Sequence, residues 1–291
     1  MTYRIFHRTQ YEYREPVTVS NHTVHLRPRI YPGQQILESS ILIEPEPLST
    51  HEYLDYFGNS VMFFTIEQQH AALRIDCSST VEVSGVAGGQ PVQSPPWERV
   101  ASTMTTGLTN EALRVREFIF PSALVPLLDE AREYAKPCFQ PGRPLMEAAL
   151  ELNAQIFSDF TFDNTATTVS TPVIEVFQTR KGVCQDFAHL FLCCLRSMGL
   201  AARYVSGYMR TLPPPGGARI FGADASHAWI AVFCPGQGWI ELDPTNNRPA
   251  ELDYVVLGWG RDYTDVSLVR GVLSGGGTHD LTYSVDMSEV P

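Results

Sequence analysis

Three residues of this chain have the types and mounts for acyl-transfer chemistry: Cys184 in RKGVCQDFAHLFLCCLRSMGL, His227 in SHAWIAVF and Asp243 in GWIELDPTN. Cys184 stands where a glycine-containing loop gives way to an amphipathic helix expected over residues 184–198. Its thiol therefore meets the positive end of the helix macrodipole, a setting that turns a cysteine into a nucleophile. His227 and Asp243 lie on short strand-like segments, and together the three supply a nucleophile, a base and a group that orients the base. Each has a plainer reading too. Cys184 could be a small buried hydrophobe, His227 a core imidazole between residues such as Ala228 and Trp229, and Asp243 a turn opener before Pro244. Only their joint geometry separates the two readings.

On a helix advancing about 100° per residue, Phe187, Phe191, Leu195 and Met198 fall within about 60° of Cys184, so its thiol faces the rest of the protein. Cys193 and Cys194 come out about 180° and about 80° away, so the three thiols cannot converge on one metal ion and no metal site is expected. The segments 226–234 and 238–243 flank Pro235-Gly236-Gln237, which predicts an antiparallel hairpin. A three-residue loop pairs Cys234 with Gly238 and Val232 with Ile240, and sets Trp229 across from Asp243. Asp243 is then the diagonal neighbour of His227, within about 5–8 Å between Cβ atoms, whereas a four-residue loop would send the two to opposite faces.

Around these elements the chain divides in two. Residues 1–85 alternate as strands do, in TYRIFHRTQYEY, QILESSILIEP, SVMFFTIEQ and ALRIDCSSTVEVSG, separated by Pro, Gly and Asn turns. This predicts a β-sandwich. Gly88 to Pro96 reads as a linker, followed by helical stretches in NEALRVREFIF, LVPLLDEAREYA and PLMEAALELNAQIFSDF, and strands return from residue 201. The last alternating segment, HDLTYSVDMSEV, could join either sheet. The division is a β-rich N-terminal domain over residues 1–100 and a catalytic domain over 101–291.

Composition is that of a globular protein: 291 residues, 44% hydrophobic and 18% charged. A formal charge of −11 argues against general nucleic-acid binding, which needs a basic surface. The opening MTYRIFHRTQYEYREP lacks the apolar run of a signal peptide and no segment has the length of a membrane span, so a cytoplasmic protein is expected, without membrane association. Six cysteines without paired spacing suggest free thiols. There is no acidic calcium loop of the DxDxDG kind, and no cofactor is expected.

The ordered set Arg180-Lys181-Gly182-Val183-Cys184-Gln185-Asp186-Phe187-Ala188-His189, Arg203-Tyr204-Val205-Ser206-Gly207-Tyr208, His227-Ala228-Trp229, Gly238-Trp239, Asp243-Pro244-Thr245-Asn246 and Gly260-Arg261-Asp262-Tyr263 resembles bacterial transglutaminase-like proteins, within the wider papain-like thiol enzymes. Asn21 to Arg29 and Asp55-Tyr56-Phe57-Gly58-Asn59 resemble the β-rich domain that precedes the catalytic domain in that branch, so the likeness covers nearly the whole chain. It implies an α+β fold: an antiparallel β-sandwich followed by a papain-like core of helices packed on an antiparallel sheet.

It further implies a Cys184, His227, Asp243 triad in which Asp243 accepts the Nδ1–H of His227, acting on a peptide or protein substrate through a thioester. The outcome is hydrolysis of a peptide or isopeptide-like amide, with protein-glutamine γ-glutamyl transfer or a non-catalytic peptide-binding module as alternatives. Trp229, Arg261 and Tyr263 are candidate substrate contacts, although an Arg-Asp pair beside a Tyr is equally a way to pin a loop. Gln178, six residues before the cysteine, sits where papain-like proteases carry an oxyanion donor, a position that transglutaminase-like proteins do not generally use. His189 is expected to be exposed or bonded to a partner.

Overall fold

Residues 1–84, 94–211 and 226–290 are described by the computed structural model of the chain. The alternating N-terminal segments form β1 (Thr2–Val24), β2 (Gln34–Glu44), β3 (Ser49–Leu54), β4 (Ser60–Ile66) and β5 (His70–Val83). The helical region carries α1 (Trp97–Thr106), α2 (Asn110–Val115), α3 (Asp129–Ala135), α4 (Leu145–Asp159), α5 (Val173–Thr179) and α6 (Cys184–Ser197), with the two-residue strands β6 (Thr161–Phe162) and β7 (Lys181–Gly182) among them. After α6 come β8 (Ala202–Met209), β9 (Ser226–Cys234), β10 (Gly238–Asp243), β11 (Arg248–Pro249), β12 (Tyr254–Gly260), β13 (Val269–Gly275) and β14 (His279–Val290). The linker reading of residues 88–96 falls mostly outside the described residues. Its end is docked on α4, where the Leu145 N–H donates to the Pro95 carbonyl (3.0 Å) and the Met146 N–H to Ser94 Oγ (2.8 Å).

The long strand β1 organises the first sheet. Its first half lies between β5 and β14, its second half between β4 and β13, and the pairing shifts between Glu12 and Val17. The two halves face different cores. Tyr3 and Ile5 pack with Val81, Val285 and Met287 against Tyr208, Val255 and Leu257 of the second sheet, while Tyr13, Val17 and Val24 close on Ile43, Phe64, Ile66, Leu73 and Ile75. The expected sandwich is thus one antiparallel sheet curled over its own core. The strands β13 and β14 complete it, so residues 269–290 belong by pairing to the N-terminal sheet, and the helices and the second sheet lie between the two ends of the described chain. A division at residue 100 could not show this, because alternation marks a strand without naming its partner.

The second sheet runs β11-β10-β9-β8-β12, all antiparallel. Its Ala228, Ile230, Val232 and Leu242 side chains pack on the helices, chiefly the buried face of α6 formed by Phe187, Phe191 and Leu195. Edge strand β12 would leave backbone groups exposed, a liability in any sheet. Side-chain amides from the N-terminal sheet occupy them. Gln34 donates to the Val256 carbonyl and accepts its N–H (both 2.8 Å), and Asn59 donates to the Trp259 carbonyl (2.9 Å) and accepts its N–H (3.0 Å). The two sheets are therefore joined by specific polar contacts as well as by apolar burial.

Candidate active site

Cys184 is the first residue of α6, and the turn before it is fixed by several local devices. Arg180 ends α5 in the left-handed region (φ 56°), its guanidinium resting over the rings of Phe160, Phe177 and Tyr134 at 4.7–5.1 Å. The parallel β6–β7 pair then anchors Lys181 and Gly182. Asp186 closes the cap: its Oδ2 accepts from the Val183 N–H (2.8 Å) and from the Thr167 hydroxyl (2.6 Å). Gly182 is required there, because a Cβ would stand 2.8 Å from Asp186 Oδ2. The result presents the Cys184 thiol partly exposed at the helix start, whereas Cys77, Cys138, Cys193, Cys194 and Cys234 are buried.

The β9–β10 hairpin pairs Cys234 with Gly238, Val232 with Ile240 and Ile230 with Leu242 across the three-residue loop 235–237. Gly236 (φ 80°) and Gly238 (φ 83°) take the left-handed conformations that this loop needs. The next step of the register sets Asp243 diagonal to His227, and the two side chains emerge on one face. His227 Nε2 lies 2.6 Å from Asp243 Oδ2. The imidazole is therefore held through Nε2, not through Nδ1 as the sequence reading had it. The Cys184 side chain is a close neighbour of the same ring and helps to favour its charged form.

Asp243 is fully buried and its carboxylate is saturated. Oδ1 accepts from the backbone N–H groups of Thr245 (2.8 Å) and Asn246 (3.3 Å), and Oδ2 from Asn246 Nδ2 (2.6 Å) and the Tyr254 hydroxyl (2.7 Å). Burial raises its pKa, but the bonds to His227, Asn246 and Tyr254 outweigh this and hold it below the usual carboxylate value. Burial likewise opposes charge on His227. The bonds to Asp243 and Cys184 prevail and raise its pKa to about 10, so the ring is an imidazolium at neutral pH.

Comparison with known proteins agrees with this geometry. Residues 3–82 match the bacterial transglutaminase-like N-terminal region, and residues 132–244, which include all three side chains, match the transglutaminase-like superfamily. An uncharacterised protein of Mycobacterium tuberculosis is 41% identical over 278 residues, covering 93% of this chain and 87% of its own. The chain belongs to the transglutaminase-like superfamily. The crystal structure of a candidate cysteine protease from Cytophaga hutchinsonii shares the fold (TM-score 0.77, 20% identity) over 99% of this chain and 90% of its own. A shorter match, 38% identical over 71 residues, joins 24% of this chain to 11% of a Pseudomonas aeruginosa protein-glutamine γ-glutamyltransferase.

Within this transglutaminase-like site the remaining candidates take other places. Trp229 is fully buried. It stacks beside His227 (centroids 5.9 Å apart) and donates Nε1–H to Glu241 (2.8 Å), which packs it beneath the imidazole. Arg261 is occupied by both oxygens of Asp265 (2.9 and 3.0 Å), which favours the loop-pinning reading. Tyr263 is partly buried against Tyr204 and gives its backbone N–H to His189 Nε2 (3.2 Å). His189 is thus buried and partner-bonded. Gln178 is exposed on α5, and no hydrogen bond links it to Cys184 among the described residues.

Sequence reasoning missed the functional side chains Tyr254, which steadies Asp243 from β12, and Asp186, which shapes the helix start. Asp186 was legible as the acid at the third position of a helix with a small residue before it. Among the described residues no group of three His, Cys, Asp or Glu side chains could hold a metal ion, and no helix is long and apolar enough to cross a membrane.

Proposed function

We propose that this protein is a cysteine-dependent acyl-transfer enzyme that hydrolyses a peptide or isopeptide-like amide. One observation carries the reading. Cys184, at the start of α6, neighbours an imidazole whose Nε2 lies 2.6 Å from a buried, fully hydrogen-bonded carboxylate. The Cys184 sulfur, with its proton on His227, attacks the amide carbon and the C=O electron pair moves onto oxygen. The Cys184 backbone N–H, in the first helical turn and without an intrahelical acceptor, is the donor we assign to that oxyanion. His227 then protonates the leaving amine, the C–N bond breaks and a thioester remains. Water, deprotonated by the now neutral His227, attacks the thioester, releasing the acid and restoring the thiolate–imidazolium pair. Asp243 keeps the ring oriented and its charged form favoured throughout.

A second reading, transfer of the acyl group to a primary amine, is supported by the short match to the γ-glutamyltransferase. Mass spectrometry of acyl-enzyme and products separates the two. With a panel of peptide and γ-glutamyl amides, wild-type protein should form a thioester on Cys184 that Cys184→Ala cannot form. Added primary amine should leave free acid as the main product. Mainly amidated product would establish amine transfer instead, and absence of any acyl-enzyme would remove both readings.

A further inference from the structure

A pocket of about 850 Å³ lies between the two sheets and α2, on a different set of residues from Cys184, His227 and Asp243. This volume lies in the ordinary range for small-molecule sites. Arg203 on β8 is 6% exposed, yet its guanidinium makes no hydrogen bond or ion pair among the described residues, and its Nε is buried without a partner. Glu241 supplies counter-charge only from longer range, its carboxylate being engaged by Trp229. Arg29 reaches the same pocket from the N-terminal sheet. It gives one Nη to Asn59 (2.6 Å), and its buried Nε is also unpartnered.

Both guanidinium carbons lie 3.6 Å from ring centroids of Trp259, and that of Arg203 is 4.5 Å from a ring centroid of Trp239. A buried guanidinium without acceptors is costly, because water has been removed and nothing replaces it. Two such groups meet at Trp259; their unpartnered Nε atoms are sealed from solvent, so it is the Nη groups that a planar anion entering the pocket would meet. The other walls set the rest of the ligand. Phe57 lines the pocket with the two tryptophans and gives it apolar area, while Glu117 places negative charge at the same cavity. A doubly charged phosphate would meet that carboxylate, whereas a single carboxylate on an apolar body would not be opposed to the same degree.

We propose that this pocket is a second ligand site, taking an α-carboxylate that carries an apolar side chain. The carboxylate bridges Arg203 and Arg29, and the side chain lies against Phe57, Trp239 and Trp259. Two sources offer this chemistry: a free apolar amino acid, whose ammonium group Glu117 would attract, and the C-terminal residue of a peptide. The site does not depend on the chemistry of Cys184.

Tryptophan fluorescence and calorimetry on the full chain test it with phenylalanine, N-acetylphenylalanine, phenylalaninamide and inorganic phosphate as probes. At least one of the two carboxylates should bind saturably, with phenylalaninamide weaker by about tenfold or more. Tighter binding of phenylalanine identifies a free amino acid, and equal or tighter binding of N-acetylphenylalanine identifies a peptide terminus. Arg203→Gln should abolish the response. Arg29→Gln, on the other sheet, is an independent check if the first variant does not fold, and should weaken binding by about tenfold. Cys184→Ala should bind as wild type does, which separates this site from the proposed catalysis. Equal binding of acid and amide, phosphate competing as well as phenylalanine, or no saturable binding of either carboxylate would overturn the proposal.

Discussion

Two histidine and aspartate neighbourhoods border α6, and burial ends differently in each. At the helix start, His227 is held charged, its pKa raised to about 10. Within the helix, His189 is pushed down to about 4, although both rings are buried. The difference lies in whether the carboxylate touches the ring. Asp243 directs Oδ2 at the His227 ring. Asp262 spends Oδ2 on the Leu124 N–H (2.8 Å) and Oδ1 on the N–H and hydroxyl of Thr264 (2.8 and 2.5 Å), so it acts on His189 only through space. His189 accepts the Tyr263 N–H at Nε2, a bond that only an unprotonated nitrogen can accept, and Arg196 nearby further opposes charge. An aspartate near a buried histidine thus makes an acid–base pair when its carboxylate bonds the ring directly; acting only through space, it leaves the histidine a neutral structural acceptor.

The strongest test exchanges the two aspartates in turn. Asp243→Asn should cut amide turnover by about 10²–10⁴-fold while leaving the thiol in place. Asp262→Asn should keep turnover per folded molecule within a few-fold and lower unfolding stability by about 1–3 kcal/mol, because a buried acceptor of backbone and hydroxyl donors is impaired. Equal losses of turnover from both variants would break the distinction.

Next in size is thiol selectivity. Brief iodoacetamide treatment near pH 6 followed by peptide mapping should label Cys184 almost alone. It is the partly exposed thiol of the six, and burial pushes Cys77, Cys138 and Cys193 up to about 11. Comparable labelling of Cys77, Cys138 and Cys234 would show that the site confers no special reactivity.

A smaller effect should appear in the pH profile. His227 has a folded pKa above its ordinary 6.5, so the stability its ion pair contributes is fully present below about pH 6.5 and is lost as pH rises through about 10. Activity that needs the imidazolium should decline over the same alkaline range. In Asp243→Asn the alkaline limb should move toward neutral pH, and an unmoved limb would show that another group sets it.

Smallest is Tyr254→Phe, which removes one of several donors to Asp243. About 1 kcal/mol of positioning, or roughly fivefold in kcat with little change in KM, is expected. A loss as large as that of Asp243→Asn would mean that Tyr254 touches the reacting atoms.

The parts of this site that local rules decide were legible in advance. Side-chain parity across a three-residue loop put His227 and Asp243 on one face, and the hairpin has that register. The helical wheel turned Cys184 inward with Phe187 and Phe191, and both pack in the core beneath it. What was not legible depends on partners distant in sequence or on ring orientation. Nothing in SHAWIAVF states which imidazole nitrogen meets the aspartate, and Tyr254 reaches Asp243 only because β12 lies across the sheet from β10. The burial of Trp229 beside the histidine, too, follows from packing and not from its local sequence. The alternation of HDLTYSVDMSEV announced a strand, and its pairing with Thr2–Tyr13 spans nearly the full chain.

That last pairing sets an order on synthesis. A ribosome delivers β1 first and β14 last, so the first half of β1 must wait for residue 290 before its second edge is filled. Until then the backbone of Thr2–Tyr13 can recruit a strand from any neighbouring nascent chain. A ribosome stall or proteolytic cut before residue 279 should therefore release a protein that carries Cys184, His227 and Asp243 together but self-associates through β1, so strand β14 controls whether the N-terminal sheet closes.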